Sequence, residues 1–240
     1  MADKNMGLTV ATTEQFVTLT NSALLGNQNW VKSEFKTESE VLKQTWKHWQ
    51  TLILLHQHAS CLDSVGLTYK HTIHLRETHW CLPLFIGMIK VHKPVVSLRP
   101  VERRQCFFVQ EISKRFQKLT HKIIAQLRCY KSQTISHLIE NSDELLDKLE
   151  SNNLFDEELC FVTMDVKAMY PSMTIDGCLI ALTWAMQQIG YSNTNIIAAR
   201  EVLKFLLQHN FAVANQNIYY RRVNGRPNYP RFVPHVPVAK

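Results

Sequence analysis

The chain has 240 residues, 45% of them apolar and 20% charged, the balance of an ordinary globular protein with enough length for an ample core. No apolar run approaches the roughly 18 residues a membrane span needs, and the opening Met-Ala-Asp-Lys-Asn is not an apolar leader, so neither a membrane partner nor secretion is expected. The net charge of +7 is unevenly placed: residues 80–131 hold eleven Lys or Arg against Glu102 and Glu111, a local +9 that leaves −2 for everything else. Such a block is either the footprint of a polyanion site or a solvated basic face.

In chain order, Leu8 to Ala11 has strand character, and Thr12 with Gln15 forms a capping box for a short helix. Residues 38–58 predict a helix whose apolar face is Val41, Leu42, Trp46, Trp49, Leu52, Ile53 and Leu55. A further helix is expected over 63–78. Residues 84–90 and 95–101 read as paired strands joined at Val91-His92-Lys93-Pro94, a basic hairpin. Over about 108–130, Ile112, Phe116, Leu119, Ile123 and Leu127 share one helical face, with Lys114, Lys118 and Lys122 on the other. Ser142 is the expected cap of a helix running to about Glu150. After an acidic loop at 156–158, Leu159 to Met164 reads as a buried strand ending in Asp165. Helices over about 174–189 and 195–208 follow, then a hairpin over 211–223 turning at Asn215-Gln216-Asn217. Residues 226–240 hold four prolines and no periodicity, the texture of an extended or disordered tail. The fold class is therefore α+β.

The six cysteines are scattered without a close pair, which argues for reduced, mostly buried thiols rather than disulfides. His71, His74, His79 and Cys81 cluster loosely but match no standard zinc spacing. Asp165 draws more interest. A carboxylate closing a buried strand can hold a Mg²⁺ ion beside substrate phosphates, with the Val166 carbonyl sharing the coordination. It can equally cap the following turn. Spacing leaves both readings open.

Residues 161–172, Phe-Val-Thr-Met-Asp-Val-Lys-Ala-Met-Tyr-Pro-Ser, resemble motif A of template-dependent polymerases, both reverse transcriptases and family B DNA polymerases. Three further segments resemble Penelope-like reverse transcriptases. Ala2 to Leu8 matches a short motif placed ahead of the fingers. Gly87 to Pro94 with Leu98-Arg99-Pro100-Val101 matches the fingers motif. Phe211 to Gly225 matches the hairpin before motif B. The four lie in family order across residues 2–225.

That resemblance implies a partial right-hand polymerase, fingers plus the first half of a palm whose sheet is incomplete. Fingers with basic hairpin and basic helix would occupy 1–140, a partial palm with motif A 141–225, and an off-family tail 226–240. Asp165 would be catalytic and bind Mg²⁺ together with Val166. Lys90 and Arg99 would hold the incoming deoxynucleoside triphosphate, and Tyr170 would lie under its sugar and exclude a 2′-hydroxyl. Lys93, Lys114, Lys118 and Lys122 would meet an RNA or DNA template–primer through its backbone. Kinship implies an intracellular, nuclear setting. No Asp-Asp pair and no glycine-rich motif B occur, and Ile89 replaces the proline usual before the fingers lysine. Two-metal phosphoryl transfer needs more carboxylates than Asp165 alone, so weak Mg²⁺ binding and no polymerisation by these 240 residues alone are expected. The expectation is of a chain cut short before the remaining site. Other readings are a family B polymerase fragment, a non-catalytic nucleic-acid-binding remnant using Tyr219, Tyr220, Arg221 and Arg222, and an unfolded product of a decayed gene with an exposed edge at 159–165.

Overall fold

The computed structural model describes residues 11–25, 30–76, 80–90, 97–103, 107–130, 139, 141–151, 173–214 and 217–221. The expected strands at 8–11 and 159–164, the tail and motif A lie wholly or almost wholly outside those residues. The described chain is a mixed helix-and-sheet fold, as the α+β reading required.

Helix α1 (Thr13–Leu25) begins at the expected capping box. Thr12 N–H donates to Gln15 Oε1 at 3.0 Å, and Gln15 N–H donates back to Thr12 Oγ1 at 3.1 Å. A three-residue strand that periodicity did not reveal, β1 (Trp30–Lys32), follows. Helix α2 (Glu38–Leu55) is capped by Thr37, whose hydroxyl accepts from Glu40 N–H. It buries Val41, Thr45, Trp49, Leu52 and Ile53. Leu55, assigned to the apolar face, is exposed, because it falls in the last turn beyond the packed stripe.

The helix expected over 63–78 is broken. One turn, α3 (Ser60–Asp63), ends at Gly66, whose φ of +70° only glycine adopts without strain. Leu67 N–H donates to Leu62 O and Gly66 N–H to Asp63 O, the paired bonds of a Schellman cap. A second turn, α4 (Tyr69–Thr72), then tightens into a 3-10 turn at Ile73–Arg76.

Strands β2 (Leu84–Lys90) and β3 (Ser97–Arg103) pair antiparallel as expected, β3 starting later and running further than predicted. Helix α5 (Phe108–Tyr130) and helix α6 (Ser142–Ser151) follow. The N-cap of α6 is Asn141 and not Ser142: its side-chain oxygen accepts from Glu144 N–H at 2.8 Å. Helices α7 (Ile175–Gln188) and α8 (Asn193–Gln208) are capped by Thr174 and Ser192. A second Schellman pair at Gly190, φ +78°, turns one into the other. Strands β4 (Phe211–Ala214) and β5 (Asn217–Arg221) form the last hairpin, with Asn217 already paired to Ala214, so it belongs to the strand and not to the turn.

The five strands make one sheet in the order β1-β5-β4-β2-β3. Two hairpins far apart in sequence join where Leu84 pairs parallel with Val213, supported by Val213 N–H donating to Pro83 O at 2.8 Å. Pro100, which cannot donate to a neighbour, is tolerated because β3 is an edge strand. One sheet face packs on α1, enclosing Ala23, Trp30, Phe85, Leu98, Ala212, Ala214 and Tyr219. The other meets the helical core through Phe211 and Ile218. That core takes residues from α2, α3, α5, α7 and α8, on both sides of position 140.

Candidate nucleic-acid interface

Helix α5 separates its two jobs by periodicity. Phe108, Ile112, Phe116, Leu119, Ile123 and Leu127 are each 2% exposed or less, so that stripe is all core. Lys114, Lys118 and Lys122 stand exposed on the other side. Four residues of helix rise about 6 Å, so the three ammonium stems form a row of roughly that spacing. Lys114 is paired with Glu111 at 2.5 Å across one turn, an exposed contact of small energetic value. Lys122 donates to the Ser64 carbonyl at 3.1 Å. Lys118 makes no hydrogen bond or ion pair among the described residues.

Arg115, counted in the basic block, is committed inward. Its guanidinium donates to the Gly66 carbonyl at 2.6 Å and to the His71 carbonyl at 2.9 Å. Those acceptors close α3 and α4, so this cation completes the helix ends that the break at Gly66 creates. Sequence could not separate it from its lysine neighbours, because charge alone does not report direction; its place between buried Ile112 and Phe116 was the available hint.

In the basic hairpin, Lys90 pairs with Ser97 and Arg99 with Met88. Residues two apart on a strand share a face, so positions 88, 90, 97 and 99 lie together, and positions 85, 87, 89 and 98 lie on the face buried against α1. Lys90 and Arg99 are thus diagonal neighbours, about 7–8 Å apart in such a register. Gly87 is required on the buried face, since a Cβ there would overlap the Leu98 side chain.

The structure thus brings Lys90 and Arg99 to one hairpin face and Lys114, Lys118 and Lys122 to one helix side. Lys93, Asp165, Val166 and Tyr170 lie outside the described residues, and with them the expected Mg²⁺ position. Among the described residues no group of three or more His, Cys, Asp or Glu is placed to hold a metal ion. His71 instead hydrogen-bonds Thr68 Oγ1 at 2.7 Å. Tyr219 is buried against α1 and cannot stack on a base. Of the four described cysteines, Cys61 and Cys178 are buried but Cys81 and Cys129 are exposed, against the expectation of mostly buried thiols, and none is in a disulfide. Burial pushes the Cys61 thiol up to about 11, which suits a packing residue and not a nucleophile. No described helix is long and apolar enough to cross a membrane.

No family model, no curated protein and no solved structure matches this chain.

Proposed function

We propose that these 240 residues are the fingers and first part of the palm of an RNA-directed DNA polymerase of the Penelope-like kind, able to hold a template–primer but not to extend it unaided. The observation that carries the reading is the register of the basic hairpin. The two positions that the motif resemblance assigns to the triphosphate, 90 and 99, share one face of one strand pair by register, although they stand nine apart in sequence. Lysine and arginine differ there in a useful way, one a point charge and the other a bidentate fork for phosphate oxygens. In this reading Asp165 and the Val166 carbonyl would hold Mg²⁺, and Tyr170 would lie under the sugar, as the motif resemblance implies. The absence of an Asp-Asp pair from the sequence supports the lack of extension.

A non-catalytic nucleic-acid-binding role is the second reading, favoured by the exposed row Lys114, Lys118 and Lys122. One experiment addresses both. Anisotropy of a labelled RNA–DNA primer–template, titrated at several salt concentrations and followed by extension with Mg²⁺ or Mn²⁺, should show salt-dependent binding and no template-directed product. Joint substitution of the three lysines by glutamate should lower the salt slope by up to about 3, one for each lost phosphate contact. Lys90→Ala and Arg99→Ala should weaken deoxynucleoside triphosphate binding and leave template–primer affinity nearly unchanged. Failure to bind at low salt sinks both readings; extension by the isolated chain sinks the claim of inactivity.

A further inference from the structure

His48 on α2 and His209 at the C-terminal cap of α8 bring two imidazoles together, with His48 Nδ1 3.1 Å from His209 Nε2. The chemistry of His209 is set by its own helix. Its Nδ1 lies 2.9 Å from the Phe205 carbonyl, which can only accept, so Nδ1 carries the proton and Nε2 presents a lone pair toward His48. The ring is stacked on Phe205, centroids 4.2 Å apart and planes at 25°, so its orientation is held from two directions.

The two rings do not meet head-on. A linear N–H···N bond of this length, the preferred arrangement, would put the ring centroids about 5.4 Å apart. They are 4.8 Å apart, with planes at 66°. The contact is therefore bent, with at least one ring nitrogen aimed to the side of the line joining them. Two imidazole nitrogens bound to a single ion at about 2.05 Å and an angle of about 98° would lie about 3.1 Å apart with centroids about 4.8 Å apart. A single N–metal–N angle thus reproduces both separations.

We infer that His48 Nδ1 and His209 Nε2 form a two-histidine site for a borderline divalent cation, Zn²⁺ or, bound more tightly, Cu²⁺. The Phe205 carbonyl plays the outer-sphere part usual for a ligating histidine, fixing tautomer and ring direction. Among the described residues no third histidine, cysteine or carboxylate completes the set. His48 is exposed, so water fills the remaining positions. The site is separate from the basic interface and does not depend on the polymerase reading. Its effect is to tie α2 to the junction between α8 and the sheet.

The test uses the tag-free full chain stripped with a chelator and titrated with Cu²⁺, then Zn²⁺, by calorimetry and by thermal melting. With eleven histidines in the chain, the decisive quantity is the difference between variants. Saturable binding that weakens at least tenfold in His48→Gln, with loss of the metal-induced rise in melting temperature, is expected. His74→Gln, which changes an exposed histidine elsewhere, should behave as the unaltered chain. His48→Gln is a surface change and should remain folded by circular dichroism; His209→Gln, should it fold, should repeat the tenfold loss. Equal affinity in His48→Gln and the unaltered chain, or no saturable binding at all, overturns the inference.

Discussion

Arg115 shows how one side chain can be spent on structure inside a stretch that looks like a ligand site. Its guanidinium satisfies two carbonyls at helix ends, so Arg115→Met should cost about 2–3 kcal/mol in urea unfolding, the usual range for a lost charged donor. Lys118→Met should leave unfolding unchanged within about 0.5 kcal/mol. Thr20 is the opposite case: 2% exposed, with a hydroxyl that has no hydrogen-bond partner among the described residues. Thr20→Val keeps the shape and removes the stranded oxygen, and should raise stability by about 1 kcal/mol in the same assay. His209 supplies a pH dependence. Burial first, then the neighbouring His48, lowers it from 6.5 to about 4, against the raising effect of its bond to the Phe205 carbonyl. The unfolded chain takes up a proton near pH 6.5 that the folded, metal-free chain refuses until about pH 4. Its contribution is therefore whole above pH 6.5 and is lost as pH falls through that window, by up to about 3 kcal/mol. Urea midpoints measured from pH 7 to 4 should fall less steeply in His209→Gln.

At the scale of elements, the chain's local grammar was largely readable. The Thr12–Gln15 box, the stripe of α5 and the strand–turn–strand pattern of the basic hairpin are all short-range patterns, and each element forms there, with β3 displaced by two residues. What failed was equally physical. The helix expected over 63–78 has suitable composition, but Gly66 adopts a left-handed backbone that a helix interior cannot contain, and Leu67 then folds back on Leu62. Asn141 outcompetes Ser142 as cap because the first hydrogen-bonded turn starts one residue earlier. Strand β1 has three residues, too few for any period, and exists because β5 offers it an edge. The partners of Arg115 and the pairing of His48 with His209 depend on neighbours distant in sequence, so local patterns gave at most the hint that Arg115 sits between buried Ile112 and Phe116. Gly87 gives the element-scale prediction. Gly87→Ala should destabilise by about 2 kcal/mol, since the Leu98 side chain must leave its low-energy seat. Paired with Leu98→Ala it should cost less than the two single changes summed, a coupling that a double-mutant cycle reads directly.

Across the whole molecule, the proposed interface and the proposed metal clamp hang on one sheet whose strands come from both ends of the described chain. Its order places β4 at the centre between β5 and β2, with β1 and β3 at the rims. Of the five strands, β4 and β5 are made last. At about 5–20 residues per second, the rim hairpin waits on the order of ten seconds before residues 211–221 arrive to anchor it. Through that interval Phe85 and Leu98 have α1 but no Ala212 or Ala214 to close over them. A nascent chain halted at residue 205 should therefore be cut by protease between positions 84 and 103, and one released at 225 should resist. The same topology makes β4 and β5 the keystone of a hairpin made earlier, so errors in residues 211–221 would undo an interface synthesised more than a hundred residues before them.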